Sequence, residues 1–337
     1  MCAKWYLGTG AQNDVVINTS IHLARNIRQF PFPGRLSLPD KLKVNGVVKN
    51  AADLIEGYNF KYYEMKTLSQ SEVVSLAERH LVSPEFASSR DGRALLLTED
   101  EAVSIMLNEE DHIRLQVMYA GFALDDAYRT ASLIDRELSG ELEFAFDDKL
   151  GYLTQDPTAL GTGMKASVVL HLPGLVSTSQ ITKLITTVSK LGLSLRGSYG
   201  EGAAAKGDMF RLSNTITLGI SEKAAIENLK SIALQIAAQE RSAREELFKA
   251  PVTEDRIYRA YGVLKYARLI DTNEFMELIS LVRLGAVKGV INMDCAQIEA
   301  LMIHMQPATI SLSVDRPLDR IERDKLRAAR VRQALNY

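Results

Sequence analysis

Three consecutive acidic residues, Glu109, Glu110 and Asp111, lie between two apolar runs, residues 102–107 and 115–119. Apolar runs of this length predict short β-strands, so the acidic segment is predicted to form the turn of a hairpin. A run of carboxylates in such a turn is ordinarily solvated, because like charges repel and need water. The alternative is a site for a cation such as a guanidinium, whose N–H donors pair with a carboxylate in a fixed fork. The pattern alone favours the solvated turn and leaves the cation site open.

The remaining sequence predicts an α+β fold, in which an antiparallel β-sheet is flanked by helices. Strand patterns at residues 94–97, 102–107 and 113–119 follow one another without an intervening helix, which favours an antiparallel sheet over a doubly wound one. Helical periodicity is clear at residues 124–138 and in a long segment at residues 221–249. Later strands are predicted at residues 164–172, 209–212 and 216–219.

A domain boundary is predicted at Pro251, because proline ends the long helical pattern and the sequence beyond it loses its strands. The length of 337 residues also exceeds that of one average domain. We therefore predict a sheet-containing domain over residues 1–250 and a smaller all-helical domain over residues 251–337.

Composition and charge narrow the classes of function. A net charge of −2 gives no bulk attraction to nucleic acid or to a membrane surface. Basic residues cluster only in the last helical segment and lack interleaved aromatic residues, so neither a nucleic-acid partner nor a membrane partner is predicted. The two cysteines are far apart and the N-terminus has no apolar signal region, which together predict a reducing, cytoplasmic location.

Several segments together resemble one enzyme family. Residues 108–114, which read NEEDHIR, resemble the signature of the ATP:guanidino phosphotransferases, the family of creatine kinase, arginine kinase and the bacterial protein-arginine kinases of McsB type. Residues 160–164, 196–202 and 210–214 resemble the family's Gly-rich strand entry, mobile substrate loop and sheet segment. Residues 323–328 are similar to a motif of the bacterial protein-arginine kinases. The resemblance implies a guanidino-kinase catalytic domain, followed by a C-terminal domain for dimerisation and phosphoarginine sensing.

The resemblance implies transfer of the γ-phosphoryl group of ATP to arginine side chains of proteins, with ATP and Mg²⁺ as cofactors. Such a transfer needs a positioned nucleophile, neutralised phosphates and exclusion of water. By resemblance, Glu110 orients the guanidinium and accepts its proton, while Glu109 and Asp111 give electrostatic support and contact Mg²⁺-bound water. Glu201, on the mobile loop, is the second carboxylate. Asp156 stands where the family has a cysteine thiolate and keeps its negative charge.

The family binds phosphate through a set of arginines, and this sequence departs from that pattern. Arg114 and Arg196 are retained, whereas Ser20 and His22 stand where two arginines belong and Lys165 replaces a third. Lysine keeps the charge but loses the bidentate fork, and Ser20 and a neutral His22 carry no charge. The sequence places no compensating basic residue in the pocket. Two hypotheses stay open: an active protein-arginine kinase, and a degenerate kinase that serves as a phosphoarginine-binding or scaffolding subunit.

The C-terminal motif predicts a second site. Arg323 and Arg327 are at i and i+4 of the last helical segment, with Asp324 beside them, and by resemblance they form an allosteric phosphoarginine site. The alternative is a solvated basic helix face. The resemblance also implies a homodimer and two protein partners, a zinc-containing activator and a Clp unfoldase.

Overall fold

The computed structural model describes residues 4–198, 205–314 and 316–335. Within these residues, the predicted α+β class is confirmed by an eight-stranded antiparallel sheet with helices packed against it. The strands of the described residues are β1 (Val16–Arg25), β2 (Phe60–Glu64), β3 (Ala94–Thr98), β4 (Val103–Leu107), β5 (Ile113–Ala120), β6 (Phe146–Asp147), β7 (Gly151–Tyr152), β8 (Met164–His171), β9 (Leu193–Gly197) and β10 (Met209–Asn214). The helices are α1 (Leu38–Ala52), α2 (Gln70–Glu78), α3 (Pro84–Ser88), α4 (Leu124–Glu141), α5 (Pro173–Ser177), α6 (Ile181–Ser189), α7 (Glu222–Leu247), α8 (Pro251–Tyr266), α9 (Thr272–Lys288), α10 (Cys295–His304), α11 (Pro307–Ser311) and α12 (Arg320–Ala334).

The order of strands in the large sheet is β2-β3-β4-β5-β1-β8-β10-β9. Strand β1 lies near the centre and pairs with β5 on one side and with β8 on the other. Its residue His22 is opposite Gln116 of β5 and Lys165 of β8. The pairing therefore brings together side chains from distant parts of the sequence.

One face of the sheet is apolar because side chains alternate along each strand. Ile21 and Leu23 of β1 are buried in a large core together with Phe210 and Leu212 of β10. This core includes residues of α1, α4, α6 and α7, which cover the face. The side chains in between, such as Ser20 and His22, therefore point to the opposite face.

The opposite face is covered at two places by smaller apolar clusters. Helices α8, α9, α10 and α12 form one cluster, which includes Val169 and Met209 of the sheet. The second cluster combines Trp5 with residues of α2 and α3 and with Met106 and Met118. Polar side chains of β1, β5, β8, β9 and β10 line a cleft on this same face.

A buried arginine joins the C-terminal helices to the sheet. Arg283 of α9 pairs with Glu299 of α10 at 2.8 Å and donates to the backbone oxygen of Asp14 at 3.2 Å. Its Nη1 also lies 3.1 Å from Nδ1 of His171, at the end of β8. A buried charge that lost these partners would be strongly destabilising, so the network fixes α9 relative to β8.

Several elements differ from the sequence prediction. Residues 216–219, predicted as a strand, form an irregular loop. The reason is that Thr217 supports another loop instead of a strand: its carbonyl oxygen accepts from Thr162 N at 3.0 Å and its hydroxyl donates to Thr158 O at 2.9 Å. Strands β2 and β9 were not predicted, and β9 occupies the start of the segment that was interpreted as a mobile loop.

Helix α7 ends at Leu247 and α8 begins with Pro251, where proline is tolerated because the first helical N–H has no partner within the helix. The division into residues 1–250 and 251–337 stays a prediction. Among the described residues, no helix combines the length and the apolar composition that crossing a bilayer requires.

Candidate active site

The acidic segment is the turn of the β4–β5 hairpin, as predicted, but most of it is buried. The last paired residues are Leu107 and Ile113, so the turn consists of the five residues between them. Asn108 has φ 60°, a left-handed conformation that asparagine tolerates better than most residues. The side-chain amide of Asn108 donates hydrogen bonds to the backbone oxygens of Lys41 and Gly92 at 3.0 and 2.9 Å, which anchors the turn.

The carboxylate of Glu109 is almost fully enclosed. Its Oε2 is 2.5 Å from Nη1 of Arg114, and its Oε1 accepts a hydrogen bond from the hydroxyl of Ser83. The interpretation of the segment as a solvated turn is therefore wrong for Glu109. This buried carboxylate orients Arg114 by a charge-assisted hydrogen bond.

Asp111 is also buried, and it connects the hairpin turn to a second loop. Its Oδ1 accepts from the side-chain amide of Asn26 at 2.5 Å and from the backbone N–H of Gln155 at 2.8 Å. Burial raises the pKa of Asp111, and these hydrogen bonds oppose the increase. The contacts hold the backbone immediately before Asp156.

Glu110 is the exposed acid of the turn and lines the cleft. Within the described residues, no hydrogen bond to its carboxylate is formed. Partial burial raises its pKa, and the negative charges of Glu109 and Asp156 raise it further. A carboxylate whose pKa is raised towards neutrality is a better proton acceptor for catalysis.

Asp156 has the opposite shift. It caps the short helical turn Pro157–Ala159, where its carboxylate accepts from the backbone N–H and the hydroxyl of Thr158 at 2.9 and 2.7 Å. These two hydrogen bonds lower the pKa of Asp156, so it stays ionised while Glu110 takes up a proton more readily.

The cleft has a volume of about 560 Å³ and brings most of the predicted site residues together. Its predicted members are Glu109, Glu110, Asp111, Asp156, Arg114, Lys165, Arg196 and His22. Ser20 is not among them: it is fully buried, and its hydroxyl is 2.7 Å from that of Ser167. Glu201 lies outside the described residues.

Cations from several strands meet in the cleft. Burial lowers the pKa of Lys165, and the positive charges of Arg114, Arg211 and Arg196 lower it further. The pKa of His22 lies well below its ordinary value, because burial and the charges of Arg114, Arg211 and Lys165 disfavour its protonation. His22 is therefore neutral, and its buried Nδ1 has no hydrogen-bond partner within the described residues.

The sequence analysis missed Arg211, which also lines the cleft. Its segment was recognised only as part of the sheet, and no compensating basic residue was expected. The alternation of β10 contains the missing signal: Phe210 and Leu212 enter the apolar core, so Arg211 and Ser213 must face the cleft. Arg211 lies directly opposite Arg196 of β9.

The residues of the C-terminal motif lie on α12, outside this cleft. Arg327 is buried and donates to the backbone oxygens of Met305 and Ile270, each at 2.8 Å, and to Oδ1 of Asp324 at 2.6 Å. Arg323 donates to the backbone oxygen of Leu318 at 3.0 Å. Arg327 thus connects α12 to the loops around it, while Arg323 and Asp324 are partly exposed.

Two family models match this sequence. The model described as the ATP:guanido phosphotransferase C-terminal catalytic domain matches residues 43–243. The model described as the protein-arginine kinase McsB C-terminal domain matches residues 251–337.

Similar proteins cover almost the full chain. The protein-arginine kinase of Desulforamulus reducens is 43% identical over 341 residues, which cover 99% of this chain and 96% of that protein. The protein-arginine kinase of Caldanaerobacter subterraneus subsp. tengcongensis is 42% identical over 328 residues, which cover 96% of this chain and 97% of that protein.

Solved structures with the same fold are guanidino kinases. The duplicated taurocyamine kinase of Schistosoma mansoni with bound transition state analog components has a TM-score of 0.62 and 26% identity, over 69% of this chain and 34% of that one. Lombricine kinase has a TM-score of 0.60 and 22% identity, over 72% of this chain and 71% of that one, and shows the shared fold.

Proposed function

This chain belongs to the ATP:guanidino phosphotransferases, and within them to the protein-arginine kinases, and from that membership we propose that it transfers the γ-phosphoryl group of ATP to arginine side chains of proteins. The observation that supports the proposal is a single cleft in which two loops carry carboxylates and the strands carry cations. A guanidinium is a cation and ATP is a polyanion, so the two substrates match the two sets of charges.

The substrate guanidinium binds against Glu110 and Asp156. Glu110 accepts a proton from the guanidinium, and the freed nitrogen lone pair forms the N–P bond. The P–O bond to ADP breaks, and its electrons go to the leaving ADP oxygen. Because the pKa of Glu110 is raised, this proton transfer is easier than it is to an ordinary glutamate. Glu201 acts as the second carboxylate on the guanidinium.

The phosphates of ATP bind to Arg114, Lys165 and Arg196. Arg114 is held in place by its hydrogen bond to Glu109. His22 is neutral and offers a ring nitrogen instead of a charge, and Ser20 acts through its neighbour Ser167 beneath the cleft. Positioned cations of this kind stabilise the charge that develops on the transferred group and on the leaving group.

Mg²⁺ enters the cleft with ATP. Within the described residues, no three side chains of the metal-binding types form a cluster for a protein-bound ion. Mg²⁺ commonly keeps several waters and binds through substrate phosphates and one or two carboxylates, which fits a cleft that Asp111 and Glu109 line. A bound ion would neutralise phosphate charge, and Glu109 and Asp111, which line the cleft, would be the acids nearest to its waters.

A second site, for phosphoarginine, is proposed at Arg323 and Asp324, which are the partly exposed members of the C-terminal motif. Arg327 positions Asp324 by their 2.6 Å hydrogen bond. The proposal predicts that Arg323→Ala loses binding of a phosphoarginine peptide without loss of stability. Arg327→Ala is predicted to unfold more easily, because it leaves two backbone oxygens and a carboxylate without their donor.

The proposed setting of the enzyme follows its family. We place it in the cytoplasm as a homodimer that uses the helical C-terminal domain as its interface. Its proposed partners are protein substrates, a zinc-containing activator and a Clp unfoldase. The second candidate function is a phosphoarginine-binding or scaffolding subunit without transferase activity, and the losses of charge at Ser20 and His22 favour it.

The test is a phosphotransfer assay with Mg·ATP and an unfolded arginine-rich protein, with phosphoarginine detected by mass spectrometry at neutral pH. The active-kinase proposal predicts phosphoarginine with the wild-type protein and its loss with Glu110→Gln. Glu137→Gln, on the exposed surface of α4, is the matched control and is predicted to behave like wild type. Absence of product, with peptide binding retained, would instead support the binding-subunit alternative.

A further inference from the structure

Two arginines lie directly opposite each other on neighbouring strands of the cleft. Arg211 of β10 pairs in register with Arg196 of β9, and both side chains line the cleft. Directly opposite residues of an antiparallel pair have Cβ atoms about 5 Å apart, and like charges at such positions are destabilising. A ligand with negative charge between the two guanidinium groups would be attracted by both.

The repulsion extends to the next strand. Lys165 of β8 also lines the cleft, and the charges of Arg211 and Arg196 both act to lower its pKa. Arg211 also acts on His22 of β1 in the same direction. Positive charge is therefore concentrated on one wall of the cleft, where Arg211 is half-buried and Lys165 and Arg196 are exposed. Such a surface favours a ligand with several negative charges.

Arg211 is held above the buried position of Ser20. Its Nη1 donates to the hydroxyl oxygen of Ser167 at 3.2 Å, and that oxygen is 2.7 Å from the hydroxyl oxygen of Ser20. Ser20 and Ser167 are themselves opposite each other in the β1–β8 pairing. The Arg211 guanidinium thus lies near Ser20, the position where β1 supplies only a hydroxyl. Ser167 orients this guanidinium through its hydrogen bond.

We propose that Arg211 is an ATP-binding residue that grips the phosphate chain jointly with Arg196, and that it supplies the positive charge which β1 lacks at Ser20. Ser167 is its positioning residue. The inference rests on the proposed function only in taking ATP as the ligand of the cleft, and it does not require that phosphoryl transfer takes place.

The experiment measures the Kd of Mg·ATP by calorimetry for wild type, Arg211→Gln and Arg136→Gln. Arg136 is an exposed arginine of α4 outside the cleft, so its variant is the matched control. Arg211→Gln is predicted to raise the Kd by about 10- to 100-fold, which corresponds to one charge-assisted hydrogen-bond partner. Arg136→Gln is predicted to bind like wild type.

Adenosine, which lacks phosphate, separates a ligand contact from a structural defect. If Arg211 contacts the phosphates, Arg211→Gln raises the Kd of ATP and leaves that of adenosine unchanged. Equal weakening of both ligands means that the substitution damages the site as a whole and overturns the proposal. An unchanged Kd for ATP overturns it as well, whether or not the variant is stable.

A charge-relocation variant tests the link to Ser20. Ser20→Arg is predicted to recover part of the lost ATP affinity when it is combined with Arg211→Gln, because the removed Arg211 guanidinium no longer occupies the Ser167 hydroxyl beside Ser20. No recovery in a folded double variant would overturn the link to Ser20. Binding of ATP without production of phosphoarginine would contradict the proposed transferase but not this inference. A wild-type protein that binds no ATP would overturn both.

Discussion

The carboxylate of Asp111 accepts a hydrogen bond from the backbone N–H of Gln155 at 2.8 Å, which ties the acidic hairpin turn to the loop that carries Asp156. Asn26 supports the same oxygen with its side-chain amide at 2.5 Å. Glu110 and Asp156 are two of the acids proposed to hold the guanidinium, and their spacing is thus set by the buried Asp111. This arrangement explains why the turn is partly enclosed.

The first prediction concerns this connection. Asp111→Ala leaves the donors of Asn26 and Gln155 without an acceptor and is predicted to lower the free energy of unfolding by about 2 to 4 kcal/mol. Asp111→Asn keeps an acceptor oxygen and removes the cost of burying a charge, so it is predicted to stay within about 1 kcal/mol of wild type. Denaturant unfolding measures both values. Equal stability of the alanine variant and wild type would show that the connection is unimportant.

The second prediction concerns the acidic limb of the pH–rate profile. As pH falls through the raised pKa of Glu110, the base becomes protonated and kcat/KM falls. Asp156→Asn removes one negative charge that raises this pKa, so the acidic limb is predicted to move to lower pH. Asp147→Asn is the control, because Asp147 caps an exposed turn outside the cleft. If the acidic limb of Asp156→Asn lies at the same pH as that of wild type, the charge of Asp156 does not influence the pKa of Glu110.

The third prediction concerns Lys165. Its pKa is lowered by burial and by the neighbouring arginines, so its charge is lost at a lower pH than that of an ordinary lysine. Lys165→Arg keeps the positive charge and adds a guanidinium that can form two parallel hydrogen bonds to a phosphate. The variant is predicted to lower the KM for ATP by about tenfold, the effect of one added hydrogen bond to a charged group. The Lys165→Arg variant is also predicted to keep its affinity for ATP up to a higher pH than the wild-type protein does. An unchanged KM and pH dependence would remove Lys165 from the phosphate site.

The fourth prediction concerns stability and pH. Burial, with the negative charges of Glu240 and Glu277, raises the pKa of Asp208 to about 6, while Arg256 and a hydrogen bond from Ser280 oppose the increase. The folded state therefore binds more protons than the unfolded state between the ordinary pKa of an aspartate and pH 6, so this contribution to stability falls as pH rises through that window.

Asp208→Asn is predicted to remove that loss. It should raise the free energy of unfolding at pH 7 by about 1 to 2 kcal/mol, because one pKa unit corresponds to about 1.4 kcal/mol and partial solvent access screens the effect. Denaturant unfolding of both proteins at pH 5 and pH 7 measures the difference. A variant that is less stable than wild type at pH 7 would mean that the ionised Asp208 is favourable.

The sequence predicted the hairpin and eight of the residues that line the cleft, because both follow from local patterns and from motif resemblance. It did not predict that Glu109 and Asp111 are buried, since their partners Ser83 and Asn26 come from distant segments. Ser20 was misplaced for a related reason. Its side chain faces the cleft side of β1 but is fully buried and hydrogen-bonded to Ser167 on the neighbouring strand.

Arg211 and Arg327 also show what sequence patterns leave out, because the surroundings of both side chains depend on residues that are distant in the sequence. The alternation of β10 indicates only which face of the sheet Arg211 occupies; its position opposite Arg196 depends on β9, which was not predicted. Arg327 was predicted, by resemblance and from its helical spacing with Arg323, to take part in a phosphoarginine site, and this stays a prediction. Spacing does not reveal that the Arg327 guanidinium lies against the carbonyl oxygens of Met305 and Ile270.

The central claim is that Glu110 performs the proton transfer in a cleft where the strands hold ATP. The most direct measurement is the single-turnover rate of phosphoarginine formation by Glu110→Gln, taken together with its Kd for Mg·ATP. The account predicts an unchanged Kd for ATP and a rate that is lower by about 10²- to 10⁴-fold, the usual contribution of a positioned general base. A Glu110→Gln variant that transfers phosphate at the wild-type rate would contradict the account.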